Sequence, residues 1–205
     1  MAAPASKHIG DLSGKWTLNK TLSDPTDPAL ALQGTGWLVR KGIGAATVGI
    51  NVRQYTDEAG TVHIDIDMTA SGLTGTREAR TLDWTPREHK DWLFGRLHGR
   101  SRFATADEVA ALVATPDAQA RRDRWADDDF LAQDWIADAD ADAEGKGPNG
   151  EPLIIAHMDA DAGWRATQIW GFQIIGGERR YVRNVVVAKG EKFESFKMIY
   201  DFVSE

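Results

Sequence analysis

The sequence predicts an all-β protein, an antiparallel up-and-down β-barrel of about ten strands with a short helix-turn-helix after the first strand and one inserted loop of helical and acidic character. Three observations predict it. Apolar residues recur at every second position through most of the chain, as in a strand with one buried face. The segments are joined by short turns such as Asp57-Glu58-Ala59-Gly60, Gly176-Gly177 and Lys189-Gly190, too short for the crossover that parallel pairing needs. So many strands must also hide their edges, and closure into a barrel does so completely.

Gly14 to Asn19 opens the first strand, with Trp16 and Leu18 on one face. Asp27 is placed to cap and Pro28 to begin a short helix, Ala29 to Gln33, stopped by Gly34. A second helix runs from Thr35 or Gly36 through Trp37-Leu38-Val39-Arg40-Lys41 and ends around Gly42 or Gly44. From Thr47 the period returns to two, giving a hairpin of Val48, Ile50 and Val52 with Val62, Ile64, Ile66 and Met68. Gly72 and Gly75 bracket the next turn, Arg77 to Trp84 continues as strand, Pro86 to Lys90 reads as a polar connection, and the next strand runs from Trp92 through Phe103.

Ala104 to Pro152 breaks the pattern. Thr105-Ala106-Asp107-Glu108 is a capping box before Val109 to Val113, predicting a short helix that stops near Pro116. Arg121 to Arg124, a mixed segment with Trp125, Phe130, Trp135 and Ile136, and an acidic stretch from Asp138 to Gly150 complete the insertion. Strands resume at Leu153–Met158, Trp164–Ile175, Arg179–Ala188 and Phe193–Val203. The chain thus reads as one domain over 1–205, with 11–103 the first part of the barrel, 104–152 the insertion and 153–203 the last strands.

Composition excludes several functions. With 24 Lys and Arg against 31 Asp and Glu, the net charge of −7 argues against a nucleic-acid partner. Arg96, His98, Arg100 and Arg102 alternate along one strand, a solvated face with paired charges rather than an anion site. The chain has no cysteine, no apolar run able to cross a bilayer and no signal-type leader, so a cytoplasmic home is expected. No metal site is expected: Asp138-x-Asp140-x-Asp142-x-Glu144 has Ala143 where a calcium loop turns on glycine, and no His-Glu-x-x-His occurs. Gly34-x-Gly36 and Gly42-x-Gly44 lack a preceding strand and a third glycine, so no nucleotide cofactor, and no cofactor of any kind, is expected.

Gly14-x-Trp16, the helical pair ending Trp37-x-x-Arg40-Lys41, the hairpin from Thr47 to Thr69 and a terminal strand with Tyr200 resemble the intracellular lipid-binding (fatty-acid-binding) proteins of the calycin superfamily. Ala45-Ala46-Thr47-Val48, Thr81-Leu82-Asp83-Trp84, Ile169-Trp170-Gly171-Phe172 and Ile199-Tyr200-Asp201-Phe202 look like a fungal branch of calycin-like proteins. The resemblance implies that Tyr200 and Arg183 grip a ligand's polar end. The sequence departs from the family at Met198, where a second arginine is expected, which favours a less anionic guest such as a terpenoid or polyketide.

Alternation then groups candidates for one interior wall. Phe196, Met198, Tyr200 and Phe202 share a face, as do Tyr181 and Arg183, and Trp164, Gln168, Trp170 and Phe172. With Trp37 and Glu78 these, Phe202 aside, form the predicted ligand-binding set. An arginine buried without an acid is costly, so Glu78, Asp65 or the ligand must balance Arg183. The first reading of function is an intracellular carrier of a small hydrophobic molecule. The alternative is a cofactor-independent cyclase or isomerase of secondary metabolism, pericyclase-type, for which Arg183, Tyr200, Tyr181 and His98 are the catalytic candidates and His63, Asp65 and Glu78 further proton carriers. A third is an interaction protein with a solid barrel, binding through the insertion. The sequence specifies no oligomeric state.

Overall fold

In the computed structural model the described residues are 1–71, 73–114, 130–136 and 147–205. They form ten strands: β1 (Gly14–Leu18), β2 (Val48–Thr56), β3 (Val62–Ala70), β4 (Leu73–Thr81), β5 (Arg87–Asp91), β6 (Gly95–Ala104), β7 (Leu153–Ala160), β8 (Arg165–Ile175), β9 (Glu178–Lys189) and β10 (Lys192–Ser204). Helices α1 (Asp27–Leu32) and α2 (Trp37–Ala45) follow β1, and α3 (Ala106–Ala114) follows β6. The strands make one antiparallel sheet in the order β4-β3-β2-β1-β10-β9-β8-β7-β6-β5, with β1 pairing β10 through Trp16↔Phe202 and Leu18↔Tyr200. This is the predicted barrel, nearly closed. The described ladder ends at β4 on one side and β5 on the other, and the seam is crossed by Arg80 Nη1 donating to Ser101 Oγ at 3.0 Å and by the Trp84 N–H donating to the Ser101 carbonyl at 2.9 Å.

Four local expectations are corrected. Arg87–Asp91 is a strand, because an edge strand with both faces wet needs no apolar alternation. Gly75 lies inside β4 rather than at its turn: a Cβ there would stand 2.9 Å from the Met68 carbonyl oxygen, opposite the register irregularity between Asp67 and Thr69. Strand β4 ends at Thr81, and Trp84 turns the chain with φ of 59°. Thr26, not Asp27, is the N-cap of α1, and Asp27 reaches Arg40 of α2 at 3.3 Å instead. The capping box of α3 forms as read, Glu108 Oε2 accepting from the Thr105 N–H at 2.8 Å and Thr105 Oγ1 from the Glu108 N–H at 3.2 Å. Gly72, the segment with Arg121–Arg124 and Trp125, the acidic run through Glu144 and the predicted stop at Pro116 lie outside the described residues.

Both barrel ends are stoppered. At the lower end the first thirteen residues fold under the sheet, burying Ala3, Ile9 and Leu12, while Leu12's carbonyl accepts from Trp16 Nε1 at 2.9 Å. Lys7 is buried there, its ammonium held by Asp11 at 3.2 Å and Glu205 at 2.7 Å. At the upper end Ala29 and Leu32 of α1 pack with Leu97, Trp164, Val185, Val187 and Phe196. The outside of β6–β9 is also covered: Leu153, Ile155, Ile169 and Val186 pack with Val109 of α3 and Leu131 of the 3-10 turn Phe130–Ala132.

Candidate functional site

Strand alternation sends Ile50 and Val52, Ile64 and Ile66, Ile154 and Ala156, Trp170 and Phe172, Tyr181, and Trp16 and Tyr200 to one buried cluster, which fills the lower half of the barrel. Above this floor, inward-pointing Leu18, Met68, Glu78, Met158, Gln168 and Met198 are only half-buried. The floor is aromatic. Tyr181 stacks on Tyr200 at 5.2 Å between ring centres and leans on Trp16 at 5.3 Å and Phe172 at 5.9 Å.

Arg183 stands at the boundary, 4% exposed. The register Met198↔Arg183↔Trp170 puts its strand between those two neighbours. Its Nε donates to Tyr181 Oη at 2.8 Å, and its guanidinium carbon lies 3.9 Å from the Trp170 ring centre, close cation–π range. Its Nη2 is buried and has no hydrogen-bond partner among the described residues. Trp170 Nε1 is satisfied by Gln168 Oε1 at 2.8 Å, whereas Tyr200 Oη has only the Met198 sulfur at 3.9 Å. The cluster thus holds N–H and O–H donors that are unpaired or poorly paired.

Its electrostatics are set by one acid. Burial disfavours the Glu78 carboxylate, but Arg80 and Arg183 together hold its pKa below the usual carboxylate value. Burial likewise works against the Arg183 cation, and Tyr181, Tyr200 and Glu78 outweigh it, raising the guanidinium's pKa. Burial pushes both phenols up, so Tyr181 and Tyr200 stay neutral donors. Glu78, not Asp65, is therefore the acid that balances Arg183. Asp65 faces outward, paired with Arg53 at 2.9 Å and Arg77 at 3.5 Å.

The structure brings together Arg183, Tyr181, Tyr200, Glu78, Trp170, Phe172, Gln168 and Met198. Trp164 and Phe196 join the apolar layer above, beneath α1. Four of the named candidates, Trp37, His98, His63 and Asp65, lie elsewhere. Trp37 sits on the outer surface of α2, 64% exposed, because none of that helix is buried. His98 points away from the barrel and pairs with Asp161 at 3.3 Å, on the outer face of β6, opposite the inward Leu97 and Ser101. With Arg96 on Glu88 and Asp161, Arg102 on Glu108 and Arg100 over Trp84, the β6 charges form the solvated, paired face expected of them. His63 is also outside, between Asp57 and the Tyr55 ring. The residue that sequence reasoning missed is Arg80, buried at 6% and bonded to Glu78; its spacing of two from Glu78 was the available signal.

A recess of about 290 Å³ lies at the lower end, lined by Gly10, Asp11, Gln54, Tyr55, Thr56, Val62, Phe103 and Pro148. It contains none of the predicted residues. Its polar groups are spent on the N-terminal segment, Gln54 serving the Leu12 N–H and the Ile9 carbonyl and Asp11 serving Lys7 and Ser13. The Arg183 cluster, with unspent donors, is the better candidate site.

No family model matches the chain. It is 28% identical over 204 residues to a protein described as probable pericyclase scpY from Mollisia scopiformis, covering 98% of this chain and 95% of that one. It is 28% identical over 206 residues to pericyclase pydY from an Acremonium species, covering 99% and 97%. Among solved structures, fatty-acid-binding protein 1 of Echinococcus granulosus superposes with a TM-score of 0.55 at 11% identity, covering 94% of this chain and 97% of that one. The fatty-acid-binding protein of Drosophila melanogaster brain gives 0.53 at 10%, covering 93% and 99%. The chain shares the ten-strand antiparallel barrel fold of these fatty-acid-binding proteins.

Proposed function

We propose that this chain is a cofactor-independent pericyclase that takes an apolar, polyene-type metabolite into the upper half of its barrel and closes a ring there. The observation that carries the reading is Arg183, buried against Trp170 with an unshared N–H group. The two named pericyclases, which align over nearly their whole lengths, support it. The calycin barrel supports interior binding of a small hydrophobic guest, which the carrier reading shares. What favours catalysis over carriage alone is a fixed donor among rigid aromatics.

A [4+2] closure makes two σ bonds from two π bonds and shifts a third; no atom leaves, no proton must move, and no electron acceptor is needed. Such a reaction asks a protein for shape and for one well-placed donor. The aromatic floor and the Leu18, Met68 and Met198 walls would hold the chain folded. Arg183 Nη2, or the Tyr200 hydroxyl now resting on a thioether, would hydrogen-bond a carbonyl conjugated to the reacting alkene and withdraw electrons from it. We place this work in the cytosol. Among the described residues no helix is long and apolar enough to cross a membrane.

Inactivating the gene in its source organism is expected to accumulate an isomer of the final metabolite, equal in mass and different in retention, which the purified protein converts. The variant Arg183→Met should fold and lose about 10²-fold in turnover, the usual cost of one transition-state donor. Unchanged metabolites in the inactivated strain, or full turnover by Arg183→Met, would contradict the proposal.

A further inference from the structure

The indole N–H groups packed against the barrel find acceptors in the chain. Trp16 Nε1 donates to the Leu12 carbonyl at 2.9 Å, Trp135 Nε1 to the Leu131 carbonyl at 2.8 Å and Trp170 Nε1 to Gln168 Oε1 at 2.8 Å. Trp164 differs. It is 1% exposed, and its Nε1 is buried without a partner among the described residues. Leaving such a donor unmade costs its full desolvation.

Nothing around the ring can supply the bond. Trp164 lies on the inner side of the barrel beneath α1, packed with Ala29, Leu97, Val185, Val187 and Phe196, and the Phe94 ring meets it edge-on at 5.4 Å. None of these side chains carries an acceptor. Met158 and Met198 border the same layer with thioethers, which are weak acceptors and already serve Arg80 Nη2 at 3.4 Å and the Tyr200 hydroxyl at 3.9 Å. The backbone fixes the position: the Ala160 N–H donates to the Trp164 carbonyl at 2.9 Å, closing the turn between β7 and β8. A rigid donor thus stands in a hydrocarbon layer, and the acceptor that completes it is a guest atom or a water molecule.

Position adds a length. Trp164 precedes Trp170 by six residues on the same side of the chain, about 20 Å at the rise of a β-strand. Arg183, with its own unshared Nη2, lies against Trp170. The two unpaired donors therefore mark opposite ends of the upper interior, one at the aromatic floor and one under α1.

Resting on the interior-binding reading above, we propose that Trp164 determines specificity by donating its indole N–H to an oxygen at the end of the guest remote from Arg183. Indole is a donor only, so the matching group is an acceptor without a proton of its own, a ketone or an ether oxygen. A hydroxyl there would leave its O–H unpaired among hydrocarbon. The guest is accordingly elongated, with an oxygen near each end. The competing explanation is a buried water on Nε1, which would leave the ring indifferent to the guest.

Three probes separate the two: palmitic acid, its derivative with a ketone next to the terminal methyl group, and its ω-hydroxy derivative, each displacing cis-parinaric acid followed by polyene fluorescence. The carboxyl end is common to all, so affinity ratios isolate the far end. The unaltered protein is expected to bind the ketone at least as tightly as palmitic acid and more tightly than the hydroxy derivative. Trp164→Phe, which keeps an aromatic ring and removes the N–H, should lower the ratio of ketone to palmitic acid affinity about tenfold, the cost of one buried carbonyl left without its donor. Should Trp164→Phe not fold, the indole proton resonance of Trp164 in the unaltered protein decides: it should move downfield with the ketone and not with palmitic acid. An unchanged ratio in Trp164→Phe, a preference for the hydroxy probe over the ketone, or a resonance that responds alike to ketone and palmitic acid overturns the proposal and leaves interior binding standing. Failure of cis-parinaric acid to bind at all overturns interior binding, and this inference with it.

Discussion

Arg183 shows how much of a site a two-residue period reveals. Alternation put Tyr181 and Arg183 on one face and Met198 and Tyr200 on another, and the register joins those faces. Alternation states which residues share a face but not which face is inside. Alternation therefore groups His98 with the candidates although its strand turns it outward, and does not single out Arg80 although it follows Glu78 by two. Another buried titratable group yields a test at this scale. His157 of β7 is buried, its Nδ1 3.1 Å from Thr167 Oγ1 and its Nε2 3.2 Å from Asp159. Burial dominates over the Asp159 charge and lowers its pKa to about 4 from an ordinary 6.5, so the folded ring is neutral at pH 7. The unfolded chain takes up a proton at higher pH than the folded one. Stability is therefore complete above pH 6.5 and falls as pH drops from 6.5 toward 4, by up to about 3 kcal/mol. Urea unfolding across that window should show the loss in the unaltered protein and a smaller one in His157→Asn; an identical slope in both would remove His157 as the cause.

At the scale of elements, the insertion was legible as an interruption and its capping box as a helix start, but not its place. The described parts lie along the outer face of β6–β9, where Asn184 Nδ2 donates to the Phe130 carbonyl at 2.9 Å and Gln173 Nε2 to the Gln133 carbonyl at 3.0 Å. The clue in the sequence was the loss of alternation in Val185-Val186-Val187-Ala188, the pattern of a strand buried on both faces. Gly171 marks the contact. A Cβ on it would stand 2.6 Å from a Leu153 methyl and 2.9 Å from the Trp135 ring. Gly171→Ala is expected to push the Trp135 segment off the barrel and cost about 1–3 kcal/mol of unfolding free energy in urea, with near-ultraviolet circular dichroism changed at the tryptophan bands. A neutral substitution with unchanged spectra would show that the segment does not pack there.

For the whole molecule, the order of strands and both early helices followed from period and turn chemistry, because each hairpin is a local solution. The lower plug did not: Ala3, Ile9 and Leu12 have no period, and their burial depends on the barrel mouth that only the nearly closed sheet creates. The same near-closure gathers a list of alternating residues into one interior, with an aromatic floor, two buried arginines and the inward Met68, Met158 and Met198. Whether that interior takes a guest is most directly measured by native mass spectrometry of the protein with cis-parinaric acid, beside a Met198→Trp variant whose added ring would occupy the space above Arg183. The account predicts a single retained adduct on the unaltered protein and none on a Met198→Trp protein that keeps its far-ultraviolet circular dichroism. No adduct on the unaltered protein, or one equally abundant on both, would contradict it.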